Sequence, residues 1–167
     1  MKQCLKKRRY MMKHFVQKFL FAGVFLFAAV SCFAAGNKAV WSENYLQARK
    51  AAAAKKIPML ILFSGSDWCP PCMQLDKTIL DTKEFAAYAG KGKFVLFKAD
   101  FPRAVKKPAA IAQQNQQLMQ IYRVQGVPTI ILAGADGKEF ARTGFIPVSA
   151  KKYIEHLEKL LKKAPKK

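Results

Sequence analysis

WCPPC, at residues 68–72, sets two thiols two residues apart between an apolar run and a helix-like pattern. The run is MLILF (59–63), short and unbroken, the kind of segment that makes a fully buried strand. Behind the pair comes CMQLDKTIL, in which Met73, Leu75, Ile79 and Leu80 recur near helical spacing. Such an order turns a strand into a helix within a few residues and puts Cys69 at the helix N-terminus. Unpaired backbone N–H groups and the macrodipole favour an anion there. A thiolate is the nucleophile of disulfide exchange, so lowering the pKa of this thiol switches the chemistry on. Cys72 lies about one turn further, more buried, and close enough to attack a mixed disulfide. Pro71 fits the early helix, where its missing N–H costs little. Two other readings compete. The pair could be half of a zinc site, but zinc takes about four ligands, and beyond residue 35 the chain offers these two cysteines and His156. A purely structural pair is the other, although cysteines this close cannot staple distant loops.

Whether a dithiol of this kind meets oxidised partners depends on its compartment. The first 18 residues carry seven basic side chains and no acidic ones, and residues 19–34 carry no charge. A basic start, an apolar stretch of this length and small residues at its end describe a secretory signal peptide. The stretch is shorter than the ~20 residues of a spanning helix. Cleavage is expected after Ala34 or Ala35, and Met11 or Met12 would serve as alternative starts. AAVSC gives a third reading, a loose lipoprotein signal in which Cys32 becomes the lipidated first residue; Ala29 stands where that signal usually has Leu. Residues 1–35 are then the targeting segment, or residues before Cys32 in the lipidated reading; either way residues 36–167 form the folded part, which works outside the cytoplasm, in the periplasm, where disulfides persist.

The 132 residues that remain suffice for one compact core. Of the chain's net charge of +20, +13 stays with them once the seven leader residues are gone. That balance raises the question of nucleic acid. However, the basic residues are scattered, the only dense run is KKAPKK (162–167), and no nucleic-acid motif accompanies them. A solvated basic surface that favours anionic lipid or acidic partners is the expectation. Around the thiol pair the pattern gives a helix from Trp41 to Lys56, with Ser42 as N-cap and Trp41, Tyr45, Leu46 and Ala53 on one face. Thr82 or Lys83 opens a further helical turn, and KFVLFKAD (93–100) reads as a second buried strand. A helix over AAIAQQNQQLMQIYRV follows, with Ile111, Leu118, Ile121 and Tyr122 on its apolar side. TIILA and EFARTG form a hairpin across Asp136-Gly137. Val148 to Lys163 closes the chain as an amphipathic helix with Tyr153, Ile154, Leu157, Leu160 and Leu161 inward. Parallel units followed by an antiparallel hairpin, with helices on both faces, make an α/β fold.

With WCPPC after a buried strand, GVPT (126–129) about 55 residues later, the GADGKE hairpin and the closing helix, residues 40–163 resemble the thioredoxin superfamily. They are most similar to its extracytoplasmic branch of Dsb-type thiol:disulfide oxidoreductases. The resemblance implies a central mixed β-sheet flanked by helices, preceded here by an N-terminal helix. It further implies that Cys69 attacks, Cys72 resolves, the pair cycles as a redox-active disulfide, and Trp68 shields the sulfurs. Pro128 would form a cis-proline loop that shapes the substrate groove with Val127. No metal or cofactor is implied. Two departures stand out. The buried Asp that typically lies six residues before the first cysteine is Phe63 here, so the proton of the second thiol must leave through Asp67, Lys98 or a water. The intervening dipeptide is Pro70-Pro71.

Those prolines tune the direction of electron flow. No histidine between the cysteines pairs with the Cys69 thiolate, and each proline deletes a backbone N–H beside it. A less stabilised thiolate means a more stable disulfide and a more reducing couple. Surface charge acts the other way, but it is screened over ~10 Å. A reductase acting on disulfide-containing exported proteins is therefore expected, recharged by a DsbD-like membrane electron donor. The alternatives are a disulfide oxidant or isomerase, and a non-catalytic binding module on the same scaffold. Nothing before Trp41 is long enough for a dimerisation domain, so a monomer is expected.

Overall fold

A computed structural model describes residues 38–165 of the chain. The leader, with Cys32, Ala34 and Ala35, lies outside the described residues, as do the last two lysines. The elements are α1 (Tyr45–Lys55), β1 (Met59–Ser64), α2 (Pro70–Leu75), a π-helical turn (Asp76–Leu80) and α3 (Lys83–Ala89). β2 (Val95–Asp100), α4 (Ala109–Ile121), β3 (Thr129–Ala133), β4 (Glu139–Gly144) and α5 (Ala150–Leu161) complete them. All six residues of β1 are buried, as its unbroken apolar run requires. It runs in the middle of a mixed sheet ordered β2-β1-β3-β4, parallel to β2 and antiparallel to β3.

Register sorts the side chains onto two faces. Leu60, Leu62, Ile130 and Leu132 pack against Leu75, Ile79, Phe85, Tyr153 and Leu157 from α2, the π turn, α3 and α5. Met59, Ile61, Phe63 and Ile131 pack against Ala48, Ala52, Leu118 and Tyr122 on the other side. The amphipathic face expected of α5 holds: Tyr153, Leu157 and Leu160 are buried, and the Tyr153 hydroxyl donates to the Gly144 carbonyl at 2.7 Å. Leu157 is wholly buried. Leu157→Ala is therefore expected to cost about 2–5 kcal/mol, read as a lower midpoint in urea unfolding.

Four expectations need correction. Ser42 does not cap α1. Its backbone bridges to β2, accepting from Lys98 N–H and donating to the Leu96 carbonyl, so the helix starts later and Asn44 caps it through Gln47 N–H. The inward face of α1 is Ala48 and Ala52, while Leu46 is 61% exposed. A run of four alanines says little about which face packs, and the sheet selects the small side chains that let the helix approach. Met73 is exposed, because α2 ends after six residues and the π turn shifts the phase so that Ile79 and Leu80 both bury. Ile121 is also exposed at the end of α4, where Tyr122 turns inward instead to meet the Tyr45 hydroxyl and the Gly137 carbonyl. The hairpin turn matches its residues: Gly137 takes φ 85°, and Lys138 N–H donates to the Asp136 carboxylate.

Candidate active site

β1 ends at Ser64 and the chain turns over five residues into α2. Gly65 makes this turn, its carbonyl accepting from Cys69 N–H at 3.0 Å. Only glycine fits, since a Cβ there would lie 2.5 Å from the Trp68 indole. Cys69 has extended backbone and caps α2; its sulfur accepts from Cys72 N–H at 3.3 Å. That bond and the positive end of the helix are the local support for negative charge on this sulfur, because Pro70 and Pro71 have no N–H to add. Cys69 and Cys72 are disulfide-bonded, with their Cα atoms 5.2 Å apart. Gly65 N–H points to the Cys72 sulfur at 3.5 Å.

Both sulfur-bearing residues are covered. Cys69 keeps 4% of its surface and Cys72 none, a smaller contrast than the helix position alone suggests. The loop before β3 contributes to this site: the Val127–Pro128 bond is cis, and the Val127 carbonyl oxygen lies 3.6 Å from Cys69 Sγ. In the reduced protein that oxygen is placed to accept from the Cys69 thiol. A hydrogen bond to the neutral form disfavours ionisation. The carbonyl therefore opposes the helix terminus.

The turn is braced from one side by residues 100–104. Trp68 donates its indole N–H to the Phe101 carbonyl at 2.6 Å, and the Arg103 guanidinium sits 4.1 Å above its ring. Ser66 binds the Asp100 carboxylate through both its N–H and its hydroxyl, at 3.0 and 2.7 Å. Asp67 accepts from Arg103 and Ala104 N–H. Asn115, nearly fully buried, donates to the Asp100 carbonyl. None of Ser66, Asp100, Arg103 or Asn115 stands out in the sequence, because their partners in the brace are 15 to 36 residues away and carry no spacing signal.

Of the groups considered for the proton path, Asp67 accepts from the loop N–H groups, and Lys98 pairs with Asp76 at 2.8 Å. Phe63 packs edge-on against Tyr122 in the opposite core and supplies no acid–base group. His156 is engaged with Thr143 and the Tyr153 ring. Among the described residues no three His, Cys, Asp or Glu side chains are grouped to hold a metal.

The backbone N–H bonds from Arg103 and Ala104 hold the Asp67 carboxyl below its usual range. A lowered folded pKa adds stability above the unfolded value of about 4 and loses it as pH falls through the folded one. The loop at 101–104 is thus expected to loosen in acid below about pH 4, read by Trp68 fluorescence against the Asp67→Asn variant, which should show the loosened signal at neutral pH. A signal unchanged by either treatment would argue against the brace.

A family model for a thioredoxin-like domain matches residues 45–161. The chain belongs to the thioredoxin-like family. The disulfide bond reductase DsbH of Chlamydia pneumoniae is 33% identical over 120 residues, which span 72% of each chain. DsbJ of the same organism, a thioredoxin-related protein, is 32% identical over 105 residues, 63% of this chain and 30% of that one. A solved DsbH oxidoreductase superposes with a TM-score of 0.72 at 30% identity, covering 84% of this chain and 96% of that one. The oxidised DsbD C-terminal domain of Neisseria meningitidis shares the fold, with a TM-score of 0.51 at 21% identity, covering 72% and 97%. The resemblance to Dsb-type proteins of the thioredoxin superfamily holds. This member of the family is a thiol:disulfide oxidoreductase with a Cys69–Cys72 pair at its helix terminus.

Proposed function

We propose that the protein is an extracytoplasmic disulfide reductase, working as a monomer in the periplasm after loss of residues 1–35. One observation carries the direction: a single backbone N–H reaches the Cys69 sulfur within the motif, since prolines hold the next two positions. The Val127 carbonyl facing that sulfur adds to it, and the similarity to a disulfide bond reductase agrees.

In the reduced protein the Cys69 thiolate attacks one sulfur of a substrate disulfide. A Cys69–substrate disulfide forms and the first substrate sulfur leaves as a thiolate, which takes up a proton. Cys72, deprotonated, then attacks Cys69 Sγ, the mixed disulfide breaks, and the second substrate thiol leaves. Two electrons and two protons pass to the substrate, and the protein is left with the Cys69–Cys72 disulfide. A dithiol donor must restore it, and a DsbD-like membrane protein fits that need. Trp68, anchored to Phe101, supports the turn that presents Cys69, while Val127 and Pro128 form the edge along which an extended substrate chain lies. Exported proteins with disulfides are the substrate class. Equilibrating the pair in glutathione buffers tests the reading, because an oxidant and a reductase of this family lie more than 100 mV apart.

A further inference from the structure

Beside the cis-proline loop lies an open groove with a volume of about 490 Å³. Arg123, Gln125, Thr129 and Arg142 line it together with Val127 and Pro128. Gly126 leaves it unobstructed, since a Cβ there would meet nothing within 4 Å. The two arginines differ. Arg142 is bidentate to Glu139 at 2.8 and 2.7 Å and donates to the Tyr122 carbonyl, so both Glu139 oxygens are taken and the pair adds little net charge. Arg123 is exposed and belongs to none of the ion pairs among the described residues. It also holds φ 50°, a left-handed conformation for which glycine is the unstrained choice. The groove therefore carries one uncompensated guanidinium next to the residue whose carbonyl faces Cys69.

We propose that this groove recognises a carboxylate side chain flanking the reacting cysteine of a substrate polypeptide, with Arg123 as the residue that reads it. The inference rests on the reductase reading for its substrate, a chain lying along Val127. Val127 both faces Cys69 and lines the groove, so an extended chain, advancing about 3.3 Å per residue, carries side chains flanking the cysteine toward it. The planar guanidinium matches a carboxylate with two parallel hydrogen bonds.

The probes are symmetrical disulfides of a short cysteine peptide bearing Glu, Gln or Lys two residues either side of the cysteine. Reduction is followed at low and high salt with dithiothreitol as donor. The wild-type protein is expected to favour Glu over Gln by about two- to five-fold in KM, the worth of a screened ion pair, and Lys is expected to be poorest. Salt should shrink the preference, Arg123→Gln should abolish it, and Lys151→Gln, an equal charge change on α5, should keep it. Equal rates for Glu and Lys peptides, a preference that survives in Arg123→Gln, or an equal loss in Lys151→Gln would overturn the assignment. A Glu peptide with Ser in place of Cys, bound and read by fluorescence anisotropy, requires no turnover. Its affinity should fall by a similar factor in Arg123→Gln, and unchanged affinity overturns the groove even if none of the peptides is reduced. Failure of all peptides to react would count against the reductase reading alone.

Discussion

Replacing Cys69 by serine should abolish reduction of insulin disulfides, by roughly a thousand-fold or more, because no other group supplies the nucleophile. Cys72→Ser should lose turnover as well, but for a different reason: attack by Cys69 proceeds and the mixed disulfide then has no internal thiol to resolve it. Covalent complexes with substrate should accumulate in Cys72→Ser on non-reducing gels and be absent from Cys69→Ser. The geometry supports this order. Cys69 caps the helix beside the cis-proline loop and keeps the little surface the pair has, whereas Cys72 has none. Alkylation of the reduced protein should accordingly mark Cys69 first. Complexes trapped by Cys69→Ser, or equal labelling of both thiols, would reverse the assignment of roles.

The Cys69–Cys72 couple should equilibrate near the thioredoxin value of about −270 mV, far from the DsbA value of about −120 mV. That gap is about five powers of ten in the equilibrium constant, so the measurement leaves little middle ground. The expectation follows from donors and acceptors around one sulfur. Cys72 N–H reaches it at 3.3 Å, the prolines add none, and the Val127 carbonyl at 3.6 Å favours the thiol over the thiolate. Cys69 should then titrate nearer pH 7 than 3.5. Pro71→His offers the thiolate a charged donor. With a charge-assisted hydrogen bond worth ~1.5–3 kcal/mol, the couple should become more oxidising by roughly 30–65 mV. A wild-type potential near −120 mV would mean that the protein makes disulfides, and a Pro71→His variant with unchanged potential would remove the donor count as the cause.

Much of the fold was legible because its signals are local. An unbroken apolar run of β1's length has one stable environment, the middle of a sheet, and six buried residues occupy it. Asp136-Gly137 marks its turn by chemistry that depends on two residues alone, and the spacing of Tyr153, Leu157 and Leu160 is itself a face. Where the signal is weak, the tertiary structure overrode it. The alanine-rich α1 has no periodicity to orient it, and Leu46 points to water while Ala48 and Ala52 face the sheet. Met73 and Ile121 sit near helix ends, where a phase slip or a termination turns an apolar residue outward.

The site divides in the same way. WCPPC places both thiols and the missing amides within five consecutive residues, and GVPT marks the loop that meets them, so these could be read one residue at a time. The brace of Ser66 on Asp100, Asp67 on Arg103, and Trp68 under Arg103 could not. Neither could the carbonyl of Val127 against Cys69, 58 residues apart, nor the groove around Arg123. Each depends on where a loop returns over the sheet edge, and hydrogen bonds of this kind are set by distance and direction rather than by residue type. Chemistry fixed within one turn of the chain is written in its order of residues; what surrounds that chemistry is fixed by which loops the packed sheet brings alongside it.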